Sequence, residues 1–282
     1  MSEKQLKIET YALPKGGGGK TTTSYNRACK LAEKGHQVLF VSGDCSKNID
    51  NTFQIDEKIT STIFDIFTGG EVKFYETDKE NIFMIPGDER LTDAGIEIHK
   101  VKSNHFKIFA KWININYKFL NDNFDYIIID THNDTSEVTG NFIYASSVVI
   151  APSNPDKNGY SGWIELQNFI NKIVKETEED FTGKVTCFVK PYLLANRVTV
   201  GQNPDDLFIS QFSEEENYIG LIPQRKIFIK SLLINKSIFQ QIDEMYPSEA
   251  KNYEELLDNI NKLYADIDKA DDEAGKLSYI VE

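Results

Sequence analysis

The chain of 282 residues predicts an α/β protein, a doubly wound, mainly parallel sheet with helices on both faces. Three observations carry that expectation. Apolar strand-like runs alternate along the chain with stretches of helical spacing. One of them, residues 124 to 131 (FDYIIIDT), has the continuous apolar character of a strand buried on both faces and ends in a carboxylate. A glycine-rich loop, residues 15 to 22 (KGGGGKTT), lies between the first strand-like run and the first helical one. A 40% hydrophobic content without a break in composition suits one large domain over residues 1–265, followed by an acidic tail, residues 266–282, expected to fray.

The elements follow in order. Residues 7 to 13 (KIETYAL) alternate in part and read as the first strand. In the loop after it, Gly16, Gly17, Gly18 and Gly19 can take backbone angles closed to other residues, so their N–H groups can turn inward around a phosphate chain. Lys20 supplies positive charge and Thr21 a hydroxyl for magnesium, with Thr22 beside it at the start of a helix over residues 21 to 34 whose N-terminus aims at the phosphates. A linker has no reason to be followed by Lys-Thr-Thr and a helix. This is the phosphate-holding end of a P-loop, with Pro14 at the first glycine of G-x-x-x-x-G-K-[ST] and a second lysine, Lys15, after it.

Residues 38 to 48 (VLFVSGDCSKN) form a second strand and its exit. Residues 61 to 67 (STIFDIF) make a helical turn or two, and residues 100 to 119 a helix whose apolar side is Phe106, Phe109, Trp112, Ile113 and Tyr117. The strand at 124 to 131 delivers Asp130 to the C-terminal edge of the sheet, and His132 after it can either sense a terminal phosphate or be an ordinary polar surface residue. Residues 147 to 155 (SVVIAPSNP) read as the next core strand, with Ser161-Gly162 in the loop beyond, and residues 184 to 197 contain another strand.

The run Lys15-Gly16-Gly17-x-Gly19-Lys20-Thr21-Thr22 resembles the deviant Walker A box of the ParA/MinD superfamily of dimeric ATPases, and in particular the shorter partition proteins without an N-terminal DNA-reading domain. The resemblance implies ATP and Mg2+ as cofactors and an ATP-state homodimer in which Lys15 reaches the phosphates held by the partner subunit. It implies that Asp44 orients or activates the attacking water, and that Asp130, as a Walker B residue, holds magnesium with Thr21. Asn196 is matched to an asparagine that reads adenine, and Pro223 to a loop beside the base. The helix after it, with Arg225, Lys226, Lys230 and Lys236, is matched to one facing DNA. This chain departs from the pattern at Gly18, usually valine, at Ser42, usually aspartate, at Cys45, usually proline, and at His132-Asn133-Asp134, often prolines. The implied function is an ATP-dependent partition ATPase, cytoplasmic and nucleoid-associated, that grips nonspecific DNA and is stimulated by a ParB-like or other centromere-binding adaptor.

The net charge of −13 opposes DNA binding in sum but not in distribution. Lys100, Lys102, Lys107, Lys111 and Lys118 form one acid-free stretch, and Arg225, Lys226, Lys230 and Lys236 another. The N-terminal sequence has neither an apolar signal segment nor a spanning helix, and residues 253 to 282 are strongly acidic where a MinD-like membrane switch, the alternative reading, needs a basic amphipathic helix; no membrane partner is expected. Cys29, Cys45 and Cys187 lie far apart without C-x-x-C spacing, which disfavours an iron-sulfur relative. An ATP-dependent ligase on the same scaffold would need a substrate pocket that no motif announces, and would give Lys15 no purpose.

Overall fold

The computed structural model describes residues 5–45, 49–92, 105–179, 182–199, 201, 203–275 and 277–280. The described residues form an eight-stranded sheet in the order β3-β4-β2-β5-β1-β6-β7-β8. Its strands are β1 (Lys7–Tyr11), β2 (Val38–Gly43), β3 (Tyr75–Glu76), β4 (Ile82–Ile85), β5 (Tyr126–Thr131), β6 (Val148–Ser153), β7 (Lys190–Val198) and β8 (Tyr218–Pro223). All pair in parallel except β3, a two-residue antiparallel edge strand on β4. The predicted fold class stands.

Side chains on successive strand positions point to opposite faces, and the two faces are separately packed. In β2 and β5, Leu39, Val41, Ile127 and Ile129 enter one apolar cluster, and Val38, Phe40, Tyr126 and Ile128 enter the other. The first cluster is closed by α2 (Ile63–Thr68), α3 (Ile108–Ile115), α5 (Glu137–Ala145) and α6 (Lys157–Glu176). The second is closed by α1 (Lys20–Glu33), α8 (Lys226–Leu233), α9 (Ile238–Asp243) and α11 (Glu254–Ala274). Strands buried on both sides need near-continuous apolar runs, which is why β5 was legible.

The predicted helix over 100–119 is corrected from residue 105 on, its first residues lying outside the described ones: α3 ends at Ile115 and α4 (Tyr117–Asn123) starts after Asn116. The Asn116 side chain donates to the Trp112 carbonyl at 2.8 Å, a local bond that competes with continued helix. Ser161 and Gly162 lie inside α6 rather than in a loop. The strand expected within residues 184 to 197 is β7, Lys190–Val198.

Among the described residues, the acidic tail is helical as far as Ala274. There α11 buries Ile267, Ala270 and Asp271 against the sheet. Besides that apolar face, Glu9 of β1 is buried and Arg27 from α1 is fully enclosed, its guanidinium 2.7 Å from Glu9 and 2.5 Å from Asp268 of the helix. Tyr11 donates to the same Glu9 carboxylate at 3.0 Å. Burial and the adjacent Glu9 carboxylate push Asp271 well above the ordinary carboxylate range. Beyond the helix Leu277 is buried and the Tyr279 hydroxyl donates to the Ala145 carbonyl at 2.7 Å.

Candidate nucleotide site

Parallel register collects the candidate residues at one edge. Asp130, near the end of β5, lies level with Tyr11 at the end of β1 and with Ser42 near the end of β2. The glycine loop that leaves β1 and Asp44, which leaves β2, therefore meet beside Asp130, at the carboxyl ends of strands where open α/β sheets place their ligands.

The loop has two kinds of glycine. Gly17 and Gly19 hold left-handed backbone, φ 84° and 93°, which a side chain disfavours. Gly18 does not; a Cβ there would run into the Pro152 carbonyl oxygen and the Leu13 side chain. The valine usual in the resembling family is excluded here by close approach to β6, so the glycine serves packing rather than added backbone freedom. Gly19 faces the Asn196 amide, which donates to the Gly18 carbonyl at 2.7 Å and ties the loop to the end of β7.

Lys20 is the first residue of α1 and 5% exposed. Its ammonium donates to the Leu13 carbonyl at 3.2 Å and to the Asn133 side-chain oxygen. Burial lowers its pKa, opposed by Asp130, Asp44 and Asp134. The first turn of α1 has no acidic residue of its own and no side-chain cap, so its amides face the loop without a capping side chain.

Asp130 is 1% exposed, and neither of its carboxylate oxygens has a hydrogen-bond partner among the described residues. Burial pushes its carboxyl up to about 7; the Thr21 hydroxyl and the Lys20 ammonium oppose that, while Asp44 and Asp50 add to it. A buried pair of orphaned carboxylate oxygens near a threonine hydroxyl suits a hard, oxygen-seeking cation.

Asp44 is 6% exposed and lies 2.7 Å from His132 Nδ1, and the Cys45 thiol is 3.8 Å from the same nitrogen. Gly43, Cys45, His132, Asp134 and Thr139 line a cavity of about 240 Å3. A second cavity, about 220 Å3, lies beside the first turn of α1 and is lined by Thr22, Asn196, Arg197, Pro223, Arg225 and Phe228.

The structure thus brings Lys20, Asp44 and Asp130 together and puts Asn196, Pro223 and Thr22 on one cavity. Lys15 is turned elsewhere, 2.7 Å from Glu165 on α6. Of the basic residues expected to face DNA, Lys226 and Lys230 are exposed one turn apart on α8, interleaved with Ile229 and Leu233. Arg225 lines the second cavity, and Lys236 is paired to Glu244 at 2.6 Å. In the other basic stretch Lys118 is paired to Asp122 at 2.6 Å, and Lys100 and Lys102 lie outside the described residues. Sequence reasoning placed Asn133 in the segment after Asp130 without foreseeing its contact to Lys20, and missed Asp50 and Glu165 as neighbours of the site; no local pattern marks these two, since each meets the site only through the folded sheet.

The profile of the AAA domain family (AAA_31) matches residues 7–182. Over 184 residues the chain is 28% identical to the virulence plasmid ParA family protein pGP5-D of Chlamydia trachomatis, covering 62% of this chain and 66% of that protein. Over 180 residues it is 29% identical to the sporulation initiation inhibitor protein Soj of Bacillus subtilis strain 168, covering 62% and 68%. The chain therefore matches about two thirds of the length of these curated relatives. Among solved structures, apo McdA from Cyanothece superposes with a TM-score of 0.74 at 17% identity, over 94% of this chain and 99% of that one. A plasmid partition protein from Borrelia burgdorferi B31 bound to AMPPNP superposes with 0.67 at 21%, over 92% and 99%. At those identities the structures speak for the fold.

Proposed function

The chain belongs to the AAA domain family (AAA_31) and to the ParA/MinD superfamily, and from that membership we propose that it is a partition-type ATPase that couples an ATP-bound homodimer to nonspecific DNA. One observation supports this above the others: the glycine loop, the buried Lys20, and the carboxylates of Asp44 and Asp130 converge at the ends of β1, β2 and β5.

In this reading the loop amides and the N-terminus of α1 receive the β- and γ-phosphates, and Lys20 exchanges its bonds to Leu13 and Asn133 for phosphate oxygens. Thr21 and Asp130 would hold Mg2+, which when bound neutralises charge developing on the phosphates. Asp44, its carboxylate fixed by His132, positions water in line with the terminal phosphate. Lys15 leaves Glu165 and stabilises charge on the partner subunit's nucleotide. Adenine takes the cavity of Asn196 and Pro223. Lys226 and Lys230, doubled by dimerisation, neutralise DNA phosphates, and a centromere-binding adaptor accelerates turnover.

The deciding experiment is size-exclusion chromatography with light scattering on Asp44→Ala in ADP and in ATP, with ATPase assays of the parental chain with and without DNA. A dimer with ATP alone and slow turnover by Asp44→Ala are expected. A monomer in both nucleotides would sink the sandwich, and flotation with anionic vesicles would point to a membrane switch instead.

A further inference from the structure

Asp44, Cys45 and His132 are the one group of three or more histidine, cysteine and acidic residues, among the described residues, whose ligating atoms converge. The carboxylate oxygen of Asp44, the thiol of Cys45 and Nδ1 of His132 all lie within 4.8 Å of one another. The nitrogen is 2.7 Å from the oxygen and 3.8 Å from the sulfur. In a tetrahedral zinc site, with bonds of about 2.0–2.3 Å, neighbouring ligand atoms stand roughly 3.3–3.7 Å apart. The observed separations bracket that spacing, so rotation of the His132 ring and a small outward step of Asp44 complete it. Cys45 and Asp44 are sequential and leave β2 together, while His132 follows β5, which pairs directly with β2, so both backbones are anchored.

We propose that Asp44, Cys45 and His132 form a binding site for a zinc-class divalent transition metal, distinct in donor chemistry from the oxygen-only pair of Thr21 and Asp130. Thiolate and imidazole select borderline-soft ions over magnesium. Three protein ligands leave the fourth tetrahedral position to water from the adjoining cavity of about 240 Å3, which Cys45 and His132 line. On binding, the thiol gives up its proton to solvent, the imidazole carries its remaining proton on Nε2, and the thiolate and carboxylate balance the charge of the ion. Cys45 stands where the resembling family usually has proline, and His132 opens a segment where it often has prolines. The consequence for catalysis rests on the role proposed for Asp44: a carboxylate ligating metal cannot accept a hydrogen bond from the attacking water with that oxygen, so the ion should inhibit hydrolysis.

The probe is Co2+ titrated into the full chain without nucleotide, followed by absorption. A thiolate-to-cobalt charge-transfer band saturating at one equivalent and erased by Zn2+ is expected. Cys45→Ser should lose the band with an unchanged circular dichroism spectrum, and His132→Asn should weaken Co2+ binding by about tenfold or more. No charge-transfer band, or one that persists in Cys45→Ser and so belongs to Cys29 or Cys187, overturns the site. Zinc is then added to the Mg-ATP assay of the parental chain and of Cys45→Ser. A cobalt band of the expected kind with hydrolysis untouched by zinc supports the site and counts against the water-positioning role of Asp44, so the two readings fail separately.

Discussion

Lys15 Nζ lies 2.7 Å from the Glu165 carboxylate, two side chains each 42% exposed, joining the glycine loop to the middle of α6. Gly162, one turn earlier on α6, makes this possible, because a Cβ there would meet the Lys15 side chain at 2.8 Å. An ion pair this exposed contributes about 0–1 kcal/mol, little enough for a phosphate to displace it. Lys15 is thus parked beside the site while Lys20 is built into it.

The two lysines should accordingly fail in different ways. Lys20→Ala removes a buried cation whose place no neighbour can take, and nucleotide binding is expected to fall by at least about a hundredfold. Lys15→Ala should bind ATP within about threefold of the parental chain but lose dimer-dependent hydrolysis. Nucleotide titration and turnover on each variant check this; full turnover by Lys15→Ala would sink the cross-subunit role.

Asp130 should make the nucleotide-free fold less stable as pH rises. Its carboxyl is raised to about 7 in the fold and titrates near 4 when unfolded, so protonation is favoured by the folded state. The contribution is most favourable below about pH 4, declines as pH rises from about 4 to 7 and is flat above; the full span is on the order of 2–4 kcal/mol. Asp130→Asn should therefore be more stable than the parental chain at pH 8 and nearly equal at pH 4, while losing Mg2+-dependent nucleotide binding. Because the raised Asp271 carboxyl gives a slope of the same sign in both proteins, denaturant unfolding should compare the pair at each pH. Equal stabilities at pH 8 would contradict the burial argument.

Gly18→Val is expected to damage this loop although valine is usual in the resembling family. The Cβ has no space against the Pro152 carbonyl and Leu13, and relieving the overlap should cost about 1–3 kcal/mol and weaken nucleotide binding. Thermal melts with and without ATP are the check. A variant with parental melting temperature and affinity would show that β6 can withdraw.

On DNA, the informative pair is Lys226→Glu with Lys230→Glu. Both are exposed on α8; Arg225, also exposed, lines the second cavity, and Lys236 is paired with Glu244. The double variant should lose DNA binding by the ATP form with dimerisation intact, and the parental log-log salt slope should be about 0.9 per phosphate neutralised. Gel shifts and light scattering on one preparation decide it. Undiminished binding would move the DNA face off α8.

What the sequence determined by itself was whatever a local pattern carries. The loop's chemistry is written in eight consecutive residues, and β2 and β5 show as apolar runs because both faces of each strand are buried. Asp130 stands at the end of such a run, and a parallel sheet delivers strand ends to one edge, so its position was legible as well. Folding alone decided what those residues touch. The Asn133 contact to Lys20, the Lys15 pair with Glu165 and the His132 contact to Asp44 and Cys45 join elements distant in the chain. The acidic C-terminus shows the same division: its composition reads as a solvated tail. Asp268 nonetheless pairs with Arg27, because an enclosed guanidinium must find its carboxylates wherever the chain can bring them, and Asp271 is buried beside Glu9.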